Sequence, residues 1–250
     1  MARAALVALV TTVGVALGGC ARFPDPSAPA MMVPPRVTAA PAPAPADTVE
    51  AVRRSVVKVS APAGTCGRLL GGSGFVVAPG KVVTAAHVVA GSDSVTVVAD
   101  GTALHAQVIS YDENADGAVL DVPGLAAEPL NLAGMPVSPH TEAVALGYPG
   151  GGDLSVVPAR IGALLDLTGP NLYGTARETR AVYIVSMSGG LPRGTSGGPL
   201  IDRSGRVLGL LFGNDMKNAD TGFAITSVEL TRHIARLDGA VPVPTGRCVN

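Results

Sequence analysis

Two short segments of this 250-residue chain hold side chains that could do chemistry together. Gly194-Thr195-Ser196-Gly197-Gly198-Pro199-Leu200 sets a serine between glycines ahead of an apolar run. Thr84-Ala85-Ala86-His87-Val88 sets a histidine in a small-residue turn, downstream of the apolar stretch Phe75-Val76-Val77. A serine hydroxyl is a weak nucleophile near neutral pH and needs a base within hydrogen-bond reach. The carbonyl it attacks gains negative charge on oxygen, which backbone N–H groups can stabilise if they are aimed at it. Glycines beside the serine permit the backbone bends that make such N–H groups converge. Ser196 with His87 therefore fits acyl transfer through an activated serine.

The elements that must position these residues read as short strands and turns. Ser55-Val56-Val57-Lys58-Val59-Ser60 is β-branched and short. Gly71-Gly72-Ser73-Gly74 breaks the chain before Phe75-Val76-Val77, and Pro79-Gly80 marks a turn before Lys81-Val82-Val83-Thr84. Apolar, β-branched runs follow at 94–98, 106–109, 118–120, 142–146, 181–185, 200–201, 207–212 and 223–225. Many short strands joined by turn residues predict an all-β sandwich or barrel. Helical patterning is confined to 228–237 and to 49–54, the latter with Asp47-Thr48-Val49-Glu50 as its cap and first turn.

Composition narrows the class. Charged residues make up 15% of the chain and the net charge is −1, so no basic surface for nucleic acid is expected. Aromatics are only 3% and Trp is absent, so the core must be built from Val, Leu, Ile and Ala. Arg3, the apolar stretch 4–17 and Leu17-Gly18-Gly19-Cys20 read as an export signal. Its end resembles the lipobox of bacterial lipoproteins, with Cys20 as the lipidated residue of a protein on the outer face of the cytoplasmic membrane. An ordinary cleaved signal or a short membrane anchor are the alternatives, although the run is shorter than the roughly 20 residues of a spanning helix. Residues 21–46 are Ala- and Pro-rich and predict an extended spacer, with a folded domain from Asp47 to Asn250. Cys66 and Cys248 then remain, and in an oxidising compartment a disulfide is the default expectation, two free thiols the alternative.

The segments around His87 and Ser196 resemble those of the chymotrypsin-like (trypsin-fold) serine proteases, and the chain order histidine, acid, serine agrees with that family. Similarity to an actinobacterial, membrane-anchored branch of the family extends from Asp47 to Asn250. It is carried by Gly72-Ser73-Gly74-Phe75-Val76, Ala86-His87-Val88-Val89-Ala90-Gly91, Gly147-Tyr148-Pro149-Gly150, Asp220-Thr221-Gly222-Phe223 and Thr245-Gly246-Arg247-Cys248. The first 46 residues lie outside it. The resemblance implies a double β-barrel with the active site in the cleft between barrels, a Cys66–Cys248 disulfide, a protein or peptide substrate and no cofactor.

It also implies roles. Ser196 would be the nucleophile and His87 the general base, with the N–H groups of Gly194 and Ser196 as the oxyanion hole. Asp116, in Glu113-Asn114-Ala115-Asp116-Gly117-Ala118-Val119-Leu120, matches the family's acid best; Asp112 and Asp121 compete, and Asp93 is more remote. Thr195 stands where the family commonly has Asp or Asn, so activation by capture of a new amino terminus is not expected. Phe212, Gly213 and Asn214 would flank the substrate. Residues 185–191 hold no acid to pair with Lys or Arg, which predicts an uncharged, small or medium P1 residue.

Two rival readings use the same residues. Gly194-Thr195-Ser196-Gly197-Gly198 also fits the G-x-S-x-G elbow of α/β-hydrolases, with His233 downstream, but that fold needs a helix directly after the serine. Gly197, Gly198 and Pro199 open a helix poorly. The other rival is a catalytically silent protease fold used as a binding module. His105 and His140 read as surface residues, and no His/Cys/Asp spacing supports a metal site.

Overall fold

The computed structural model describes residues 40–234 and 239–249. Their strands form two closed, six-stranded antiparallel barrels. The first contains β1 (Val56–Ala63), β2 (Arg68–Ala78), β3 (Lys81–Ala85), β4 (Val95–Ala99), β5 (Thr102–Asp112) and β6 (Gly117–Asp121). Its order is β1-β2-β3-β6-β5-β4, closed by β4 on β1. The second contains β7 (Glu142–Gly147), β8 (Ser155–Pro170), β9 (Arg177–Ser186), β10 (Pro199–Asp202), β11 (Val207–Asn214) and β12 (Thr221–Thr226). Its order is β10-β11-β12-β9-β8-β7, closed by β7 on β10. Helices are short: α1 (Ala46–Val52), α2 (Ala86–Val89) and α3 (Ser227–Ile234).

Period-two patterning builds these strands. Along β4, Val95, Val97 and Ala99 point inward while Thr96 and Val98 are less buried. As the composition requires, the buried cores are Val, Leu, Ile and Ala, with Phe75 and Tyr183 the fully buried aromatics among the described residues. The first barrel's apolar cluster continues into Val144, Leu146, Ile201, Leu210 and Ile225 of the second. A dry seam of this kind, at roughly 1.5–3 kcal/mol for each large side chain buried, fixes the barrels against each other. Loops that meet along the seam therefore have a defined separation.

The structure departs from the sequence expectations in three places. The longest strand, β8, has no counterpart among the predicted runs because Pro158, Gly162 and Pro170 interrupt its pattern. Residues 155–159 pair with β7 alone and 161–170 with β9 alone, Arg160 pairing with both, and a proline is accommodated where one strand edge is open. The first helix starts at Ala46 rather than behind an Asp47 cap: Val49 N donates to Pro45 O at 3.0 Å, and Asp47 falls within the first turn. Residues before Asp47 are also held against the folded domain. Ala42 N donates to Glu142 Oε2 at 2.8 Å, and Arg160 and Arg203 donate to Ala40 O and Pro43 O at 3.0 Å each. The end of the Pro-rich segment thus lies on the second barrel because these side chains satisfy its backbone.

The signal segment, Cys20 and the spacer up to residue 39 lie outside the described residues. Among the described residues no helix is long and apolar enough to cross a membrane. Cys66 and Cys248 are joined in a disulfide across a separation of 182 residues. It anchors a C-terminal tail laid on the first barrel, where Val243 N donates to Val108 O at 2.8 Å and Gly91 N to Thr245 O at 2.9 Å.

Candidate active site

Strand register brings His87 and Asp116 together. β3 pairs with β6 so that Ala85 faces Gly117 and Thr84 faces Ala118. The chain leaves β3 into α2 at His87 and enters β6 from Asp116, so the two residues emerge side by side. Ala86 N donates to Asp116 O at 3.1 Å and His87 N to Asp116 Oδ1 at 3.0 Å. The imidazole Nδ1 lies 2.9 Å from Asp116 Oδ2 and 3.1 Å from Oδ1, which assigns the ring proton to Nδ1 as donor. Burial disfavours a charged ring, but the Asp116 carboxylate outweighs it, and the His87 pKa is raised above the ordinary 6.5.

The competing aspartates are engaged elsewhere. Asp112 Oδ1 accepts from Asn114 N at 2.8 Å and Ala115 N at 2.9 Å. Asp121 pairs with Lys81, and Asp93 Oδ2 accepts from Gly64 N at 2.6 Å. Asp116 is the aspartate that reaches His87.

Ser196 arrives from the second barrel on the loop between β9 and β10. Its carbonyl accepts from Ser73 N at 2.8 Å, on β2 of the first barrel. A Cβ placed on Gly72 would lie 2.6 Å from a Val88 methyl and 2.8 Å from Ser196 O, and one on Gly197 3.0 Å from Ala85 N. The serine therefore sits against the α2 turn that bears His87. No hydrogen bond joins Ser196 Oγ to His87 among the described residues; such contacts are often loose until substrate binds. No helix follows Ser196, since β10 begins at Pro199, which removes the α/β-hydrolase alternative.

The loop is stapled on every side. Gly197 N donates to Leu211 O at 2.7 Å and Gly198 N to Thr195 O at 2.9 Å. Thr195, buried, donates its hydroxyl to Pro192 O at 2.7 Å and so closes the turn with an uncharged bond. Gly150 N donates to Arg193 O at 3.0 Å. In a trans peptide C=O and N–H point oppositely, so this bond turns the Gly194 N–H the other way. Among the described residues neither Gly194 N nor Ser196 N donates to any group. Gly194 has φ +97°, and a Cβ there would lie 2.7 Å from Gly150 N, so the position demands glycine.

Phe212, Gly213 and Asn214 close β11 beside this loop. Asn214 Oδ1 accepts from Leu191 N at 2.9 Å and its Nδ2 donates to Leu191 O at 2.7 Å, tying residues 187–191 to the strand. The Phe212 and Phe223 rings are 6.1 Å apart. The acid that reaches this segment, Asp220, accepts from Gly189 N at 2.7 Å.

Ser73 was not singled out by the sequence reading. Fully buried, it donates Oγ to Gly194 O and accepts from Tyr148 N, each at 2.8 Å. Its signal was a polar residue in the small-residue run Gly72-Ser73-Gly74 ahead of a buried strand.

Residues 72–210 match the trypsin-like peptidase domain family. The chain is 44% identical over 203 residues to serine protease Rv3671c of Mycobacterium tuberculosis, a match covering 81% of this chain and 51% of that protein. It thus spans about half of that relative's length. It is also 34% identical over 163 residues to the putative serine protease HhoB of Synechocystis, covering 62% of this chain and 37% of that one. The crystal structure of Rv3671c protease in its active form superposes with a TM-score of 0.81 at 44% identity, covering 85% of this chain and 94% of that one. For the inactive form the TM-score is 0.71 at 42% identity, covering 80% and 98%. The chain belongs to the trypsin-like peptidase family and has its chymotrypsin-like double barrel.

Ser73→Ala is expected to strand Tyr148 N and free Gly194 O. Urea unfolding should show a loss of about 1–3 kcal/mol, the cost of an unsatisfied buried group. Peptide hydrolysis should show a fall in kcat larger than any change in KM. Parental stability and kcat would remove Ser73 from the site.

Proposed function

We propose that this chain is an exported, membrane-tethered serine endopeptidase that works through Ser196, His87 and Asp116. The observation that carries the reading is the two-point contact of Asp116 with His87, beside a serine loop whose Gly194 and Ser196 N–H groups donate to nothing among the described residues. His87 Nε2 accepts the Ser196 proton as Oγ attacks the peptide carbonyl. Charge forming on that oxygen is met by the two N–H groups. The C–N bond then breaks, His87 passes its proton to the leaving amine, and an acyl-enzyme remains. Water attacks the ester by the same proton route and restores Ser196. Asp116 keeps the imidazole in the Nδ1–H tautomer and steadies its positive charge.

The uncharged turn at Thr195 supports a site assembled on folding. For specificity, Met187, Leu191 and Gly222 crowd together: a Cβ on Gly222 would lie 2.9 Å from Met187 Cε and 3.1 Å from Leu191 Cδ1. Residues 185–191, which would border the P1 side chain, hold no acid, and this favours an uncharged, small or medium P1 residue. Phe212, Gly213 and Asn214 would line the substrate's path. Cys20, at the end of the lipobox, would carry the membrane anchor.

Two variants test the two halves of this reading. Because His87 must be neutral to act as base, and Asp116 raises its pKa, peptidase kcat/KM should rise with pH through a value above 6.5. In Asp116→Asn the opposing effect of burial is left, so this limb should move to lower pH while turnover falls about 10⁴-fold. An unchanged rate would dismiss Asp116. Cys20→Ala should release the protein from the membrane fraction or leave it unprocessed; unchanged processing and fractionation would dismiss the lipid anchor.

A further inference from the structure

The loop carrying Asp116 belongs to the first barrel, yet its outer side is held by the second. β8 and β9 remain paired as far as Pro170 and Arg177, and the ribbon turns over residues 171–176. At this tip Asn171 is only 4% exposed, unusual for an amide in a hairpin turn. Its Oδ1 accepts from Thr175 N at 2.9 Å and Ala176 N at 3.4 Å, and so shapes the turn itself. Its Nδ2 donates within the turn to Thr175 Oγ1 at 3.0 Å and across the molecule to Asn114 Oδ1 at 3.1 Å and Glu113 Oε1 at 3.3 Å. Leu172 N adds a bond to Glu113 O at 2.9 Å.

Such a clamp has something to hold. Asp116 adopts φ +54°, a left-handed conformation that is strained for a non-glycine residue by about 1–3 kcal/mol and persists only where surroundings impose it. Asp112 fastens the loop from within and the hairpin tip fastens it from outside. We propose that Asn171 is a positioning residue for the reaction: from the second barrel, its amide holds the 113–116 loop so that Asp116 keeps its two-point grip on His87. The inference rests on the reading of His87, Asp116 and Ser196 as the catalytic set. Tyr173 also touches this region, bonding Tyr111 at 2.7 Å, but it bonds Arg247 of the tail as well, so Asn171 is the cleaner probe.

Two substitutions in the full chain approach the clamp from opposite sides. Asn171→Asp keeps the oxygen that shapes the turn, removes the hydrogens given to Thr175, Asn114 and Glu113, and adds a charge beside Glu113, so it is read together with a second, uncharged change. Asn114→Ala removes the nearer of the two acceptors across the molecule, leaves the bonds within the hairpin intact and changes no charge. Both should fold with parental circular dichroism and lose about ten- to a hundredfold in kcat with KM within about twofold, as expected when a catalytic group is misplaced by an ångström or less. Tyr111, Asp112, Glu113, Tyr173 and Arg247 surround the loop, but Asp116 is the charged group that raises the His87 pKa. In Asn114→Ala the acid limb of kcat/KM should therefore shift to lower pH as the carboxylate backs away. Thr168→Val, which breaks the exposed Thr168–Thr179 bond in the ribbon stem, should match the parent. Parental kcat in either clamp variant, or a lower kcat with the acid limb unmoved in Asn114→Ala, would overturn the proposal. A parent that hydrolyses no peptide would instead overturn the functional reading beneath it.

Discussion

A carboxylate that is 6% exposed is costly to bury unless its oxygens are satisfied, and Asp116 is satisfied by one residue above all. Its oxygens accept from the His87 backbone and lie against the His87 ring, while its own carbonyl accepts from Ala86 N. This contact fixes the tautomer of the ring and the start of α2, and it raises the affinity of the ring for a proton. The β3–β6 register, the Asp112 turn and the strained backbone at Asp116 all serve to deliver this one carboxylate.

The second barrel supplies the other half by different means. Its serine loop is held by uncharged hydrogen bonds: Thr195 closes a turn on Pro192, Arg193 O is drawn to Gly150, and Ser73 reaches over from β2 to hold both the loop and Tyr148. Two halves built separately can act together only if their separation is fixed. The shared apolar seam of Val144, Leu146, Ile201, Leu210 and Ile225 with the first barrel does this, since close-packed interiors resist sliding. The disulfide secures the tail on the first barrel.

Much of this was legible in the sequence. Short β-branched runs gave most strands because each has one face to bury, and glycines around Ser196 announced a tight loop. The acid was harder: composition does not separate Asp112, Asp116 and Asp121, the resemblance favours Asp116, and the β3–β6 register gives the physical reason. β8 was hidden because its two halves pair with different neighbours, which tolerates residues that a doubly paired strand excludes. Ser73 and Asn171 were hidden for another reason. Their partners lie 121 and 57 residues away, and a buried polar side chain declares its role only when the chain has closed around it.

On the proposed reading, folding alone assembles a serine made reactive by histidine. Fluorophosphonate labelling of the full chain, read by intact mass beside Ser196→Ala and His87→Ala, tests it most directly. One adduct per parent chain, absent from both variants, is the predicted result. A folded, disulfide-bonded parent that takes up no label would contradict the account, and the protease fold would then be a binding scaffold.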